Sequence, residues 1–127
     1  MQFTPHAIAL AAVVVSTCVL AAPEPSRHVA TTGELVDLCS VSVDDPAYTA
    51  AMGFCLGYID AALDYHTALT AGKKFNPIVC PDPTVTREEV VTVFLDWSRE
   101  NPQIVGAGVP VESVMRAMYE KWPCSGQ

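Results

Sequence analysis

The chain has 127 residues, half of them hydrophobic, with 14 acidic and 7 basic side chains and a formal net charge of −7. That length holds one domain. The acidic balance argues against nucleic acid or an anionic membrane as partner, since both would repel it, and suits a basic protein or plain solubility.

In chain order, Ala7 to Ala22 comes first, an apolar run broken only by Ser16 and Thr17. It is short and alanine-rich for a membrane span. Val19-Leu20-Ala21 supplies the small residue that a signal peptidase needs, so residues 1–21 read as a cleaved secretory signal peptide. Two other readings compete. The weak positive charge at the start leaves room for an uncleaved anchor, and Cys18 for a lipidated residue, although Val15-Ser16-Thr17 fits a lipidation site poorly. After cleavage no membrane attachment is expected. Residues 22–30 read as a flexible lead-in and residues 31–127 as the domain.

Loss of the leader leaves Cys39, Cys55, Cys80 and Cys124. An even number in an exported chain implies two disulfides, with three pairings open. Zinc fits badly: no cysteine pair has the short C-x-x-C spacing, and His28 and His66 stand alone. No metal and no cofactor is expected.

Thr31 and Glu34 form a capping box, after which Leu35, Leu38 and Cys39 make a short helix ending near Ser40. Ser42 to Asp45 is a turn. Pro46 to Leu69 then reads as the central helix, with Asp45 as N-cap and Pro46 at the first helical position. Its inward stripe is Met52, Cys55, Ile59, Ala62, Leu63 and His66. A second stripe, Ala50, Gly53, Gly57 and Ala61, is narrow. A helical glycine costs about 1 kcal/mol against alanine, so this stripe predicts close approach of another helix or of a second chain.

Thr70 to Thr84 is a long connection holding Pro77, Pro81 and Pro83. Loops of this length in small domains are commonly functional. Lys73, Lys74, Phe75 and Asn76 set two cations beside an aromatic ring, a pattern typical of interface anchors. The alternative is that Phe75 folds back onto the core. Thr86 and Glu89 form a second capping box; the helix behind it turns Val90, Val93, Phe94 and Trp97 inward and closes at Pro102. A glycine-rich turn, Val105 to Pro110, leads to a last helix expected to bury Val111, Val114, Met115, Met118 and Trp122. Its outer face carries Glu112, Arg116 and Glu120 at four-residue steps. No strand-period segment is present.

The fold class is therefore all-α: a small disulfide-stapled helical bundle of about four helices. If the helices run up, down and up, Cys80 meets Cys124 at one end, which leaves Cys39 for Cys55. Asp60 and Asp64 are paired carboxylates with no third ligand nearby, so they read as a solvated face. His66 reads as a packed or hydrogen-bonded histidine, and Trp97 and Trp122 as core anchors. No nucleophile motif or phosphate loop is present, and oxidised cysteines leave no thiolate. No catalytic residue is assigned and the chain is not expected to be an enzyme.

The order of these pieces carries a resemblance. A short helix with Gly33-Glu34-Leu35 ends at Cys39; Cys55-Leu56-Gly57-Tyr58-Ile59, Cys80-Pro81 and Trp122-Pro123-Cys124 follow. From Gly33 to Cys124 the chain resembles the Rap/Tai immunity proteins of type VI secretion. Ala61 departs from the pattern, where many members have glycine. The resemblance implies a periplasmic, disulfide-bonded helical protein, often a homodimer, that binds and inhibits a secreted peptidoglycan amidase effector. The loop before Cys80 is variable in that family, so Lys73, Lys74, Phe75 and Asn76 rest on their own chemistry. A small periplasmic chaperone or envelope-stress binding protein is the alternative, and a ligand carrier built around Trp97 and Trp122 a third.

Overall fold

Two threonines decide where two of the helices begin. A computed structural model describes residues 28–125; the expected signal peptide and the start of the lead-in lie outside the described residues. The elements in order are α1 (Thr32–Cys39), α2 (Tyr48–Thr70), α3 (Arg87–Glu100), α4 (Pro102–Val105) and α5 (Pro110–Lys121). The Thr31 side chain accepts from the Glu34 N–H at 3.2 Å and opens α1. The Thr86 side chain does the same for Glu89, also at 3.2 Å, and opens α3. Each satisfies a backbone donor that the first helical turn leaves orphaned.

The central helix starts later than the sequence predicts. Asp45 is not its N-cap: Asp45 Oδ1 accepts from the Ala47 N–H at 2.7 Å, and its carbonyl accepts from the Tyr48 N–H at 2.9 Å. These bonds fold Pro46 and Ala47 into a turn, so α2 begins at Tyr48 with no side-chain cap. Pro102 also departs from expectation. Asn101 ends α3 by donating from Nδ2 to the Trp97 carbonyl at 2.9 Å, and Pro102 then opens the one-turn α4.

All four longer helices meet at one core. Phe94, Leu35, Ile59, Met118, Val114 and Cys55 are fully buried there, and Trp97 lies nearly so. Helix α3 packs on α5, α1 on α2, and α2 also touches α3 and α5. The register of α5 differs from the predicted one. Its buried face is Pro110, Ser113, Val114, Ala117 and Met118, whereas Val111 is exposed and Met115 and Trp122 are only half-buried. The cause is polar. Thr32 Oγ1 donates to the Gly108 carbonyl at 2.9 Å, which leaves Ser113 to donate to Thr32 across 2.7 Å. This buried pair, with the small Ala117 one turn on, draws the 113/117 edge inward and moves Val111 to the flank. Gly108 belongs to the same joint: a Cβ there would stand 2.6 Å from the Ile104 carbonyl oxygen, so only glycine fits without moving backbone.

Two disulfides lock the bundle. Cys39 joins Cys55, pinning α1 to the middle of α2, and Cys80 joins Cys124, closing the end of the chain onto the α2–α3 connection. Among the described residues there is no strand, only an isolated bridge between Val79 and Pro123. No helix is long and apolar enough to cross a membrane among the described residues.

Candidate functional site

The connection between α2 and α3 has a fixed root and an open tip. At the root, the Ile78 N–H donates to His66 Nε2 at 3.1 Å. The Cys80 N–H donates to the Trp122 carbonyl at 2.8 Å, and the Cys124 N–H to the Ile78 carbonyl at 3.2 Å. Val79 is buried between these bonds, and the Cys80–Cys124 disulfide sits beside it. His66 is thus hydrogen-bonded, one of the two roles expected of it, and is the acceptor that holds the loop. Farther along, Asp82 Oδ1 accepts from the Thr84 hydroxyl at 2.6 Å and from its N–H at 2.9 Å. Those bonds hold the Asp82 carboxyl below the ordinary range.

The tip is what the root presents. Lys73, Lys74, Phe75 and Asn76 are all exposed, with 50% of Phe75 open to solvent. Phe75 therefore does not fold back into the core. Lys74 Nζ lies 5.4 Å from the centre of its ring. Neither lysine is in an ion pair among the described residues, whereas Arg87, Arg99 and Arg116 pair with Asp60, Asp96 and Glu112. Asp60 is accordingly more than a solvated carboxylate: it ties α2 to α3 through Arg87. Asp64 stays exposed.

The two glycines of α2 do not receive a neighbouring helix of this chain. Both Gly53 and Gly57 are exposed, and a Cβ built on either meets nothing within 4 Å. With no steric demand for glycine, Gly53→Ala and Gly57→Ala are each expected to stabilise the protein by about 1 kcal/mol. Urea unfolding followed by circular dichroism measures this; a loss of stability would reveal a packing role for the missing side chain.

A second surface went unread in the sequence because its main ingredient is alanine, which gives no signal. Helix α1 and the first half of α2 enclose a cleft of about 430 Å³. Val29, Leu38, Ala50, Ala51 and Phe54 line it, with Ala47 at one end and His28, Glu34 and Asp37 around it. Glu34 Oε2 accepts from the Ala30 N–H at 2.7 Å and so holds the entering chain beside α1. A smaller cleft between α3 and α5 is polar, edged by Asp96, Glu100, Glu120 and Lys121. Trp97 lines it, and its indole N–H is the buried side-chain donor left without a partner among the described residues. Near the start of α5, burial pushes the Tyr58 phenol up, partly offset by a hydrogen bond with the Val111 backbone.

No group of His, Cys, Asp or Glu among the described residues could hold a metal ion. Two surfaces suit recognition: a braced loop with two cations and a ring, and an open apolar cleft with acids on its edge. No curated protein and no solved structure matches the chain. The family model of the Rap1a immunity proteins does, over residues 31–124. That span begins at the threonine cap of α1 and ends at the last cysteine, so among the described residues it takes in every helix and both disulfides. The chain belongs to the Rap1a immunity protein family.

Proposed function

We propose that this protein is a periplasmic immunity protein of type VI secretion. It binds and inhibits a secreted peptidoglycan amidase effector, with Lys73, Lys74, Phe75 and Asn76 in the contact. Family membership supports the immunity role, and two disulfides suit an oxidising compartment. The observation that carries the site is the exposed Phe75 with two unpaired lysines, mounted on a root braced by His66 and Cys80–Cys124. Blocking an enzyme in this way requires no chemistry from the inhibitor. A loop ordered before encounter loses little conformational freedom on binding.

Pull-down from cells producing the secreted effectors, with the mature chain as bait, identifies the partner and its amidase activity. Lys73→Glu, Lys74→Glu and Phe75→Ala combined are then expected to weaken binding by about 100-fold, the scale of an aromatic hot spot. Titration calorimetry reads it; unchanged affinity would remove the loop from the interface. The homodimer implied by the resemblance belongs to the same proposal. The open sides of Gly53 and Gly57 leave room for a second copy, and sedimentation of the wild type against Gly57→Leu reads it.

The chaperone or envelope-stress reading draws on the open apolar cleft. It requires binding to many unfolded clients, and reduced, carboxymethylated lactalbumin is a direct probe.

A further inference from the structure

We infer that the cleft between α1 and α2 is a docking site for a protein segment that carries an apolar side chain beside a lysine or arginine. This goes beyond the loop and does not depend on which protein the loop engages.

The cleft is apolar inside and acidic outside. Its volume of about 430 Å³ falls in the range of pockets that hold ligands, about 300–1,000 Å³. Val29, Leu38 and Phe54 stay half-buried on its walls, and Ala50 is exposed at its mouth. Small side chains on α2 keep it open, where longer ones would fill it. Among the described residues no lysine or arginine lines it.

The charges at its edge choose the occupant. Glu34 and Asp37 lie three positions apart on α1, so they share one side of the helix, and both are exposed. Asp37 has no side-chain hydrogen bond or ion pair among the described residues, and Glu34 uses one oxygen on the Ala30 N–H. Asp44 and Asp45 stand just before Ala47. The arginines that neutralise acids elsewhere are on α3 and α5. This end of an already acidic protein thus repels acidic segments, and a basic residue flanking the apolar anchor meets complementary charge. The Cys39–Cys55 disulfide joins the residues next to Leu38 and Phe54, so the walls are set before anything binds.

The test titrates the oxidised, nitrogen-15-labelled protein with acetyl-Lys-Leu-Phe-Arg-amide and with its charge-inverted twin, acetyl-Glu-Leu-Phe-Asp-amide. The basic peptide is expected to shift the amides of Leu38, Ala50, Ala51 and Phe54 saturably. The acidic twin should bind at least about tenfold more weakly, because like charges would face each other across the rim. Asp37→Lys should reverse the preference. Ala50→Phe, at an exposed helical position, should abolish the shifts while leaving the melting curve in place. Equal binding of the two peptides would overturn the inference, as would shifts confined to Lys73–Asn76. The same shifts on concentrating the protein without peptide would overturn it too, by placing a second copy in the cleft.

Discussion

Serine at both Cys80 and Cys124 is expected to lower stability by about 4 kcal/mol. The bond closes a separation of 44 residues, and releasing that constraint enlarges the unfolded ensemble by about this amount on the chain-entropy argument. The same change at Cys39 and Cys55, separated by 16 residues, is expected to cost about 3 kcal/mol. Small domains commonly have about 5–15 kcal/mol in total, so either loss is large. Urea denaturation of the double variants reads both. The Cys80 pair has a local consequence as well. Its neighbours are a two-residue bridge and the bonds from Cys80 to Trp122 and from Cys124 to Ile78, on largely exposed segments. Amide exchange at residues 78–80 should therefore quicken more than global unfolding accounts for. Equal acceleration throughout the core would show that the disulfide acts only on the unfolded chain.

Phe94→Ala is expected to cost about 3–5 kcal/mol, the usual range for deleting a buried ring. Phe94 is 0% exposed and sits on α3, which contacts α1, α2 and α5 together. A void there opens in a core shared by four helices, two of them cross-linked by Cys39–Cys55, which resists collapse. Phe94→Leu keeps most of the volume and is expected to lose less than half as much. Thermal and urea unfolding of the pair separates lost volume from lost aromatic contact. Near-equal losses would place the weight on ring geometry instead.

What was legible in the sequence was what local chemistry encodes. Thr31 with Glu34 and Thr86 with Glu89 announced two helix starts by their spacing, and the structure puts N-caps at both threonines. Val90, Phe94 and Trp97 of α3 were readable as large apolar side chains at helical intervals, whereas Val91 is buried in place of the expected Val93, which is half-buried. The misses involve small or polar residues whose role depends on distant partners. Ser113 gives no sign that Thr32 lies across the core from it, so the register of α5 came out turned and Val111 was placed inside. Asp45 could cap or turn, and only the following Pro46-Ala47 geometry chose. Gly53 and Gly57 predicted close approach of another helix or of a second chain, and within the chain nothing meets them. The loop was visible through its prolines and charges; its anchor, His66, was not, because the bond to Ile78 spans twelve residues. The α1–α2 cleft left no trace, since alanine is as common on a helix surface as beneath one.

The contact between Lys74 and Phe75 has a bearing on how the free protein behaves in quantity. An immunity protein has to accumulate ahead of the toxin, which means holding a greasy ring in solvent at high local concentration. Lys74 Nζ lies over that ring at 5.4 Å, which puts a strongly hydrated charge where a second molecule's Phe75 would approach. The lysine acts as a gatekeeper against aggregation, where a neutral neighbour would leave the tip adhesive. The two side chains that would set self-association are thus the same two that we propose for the effector contact.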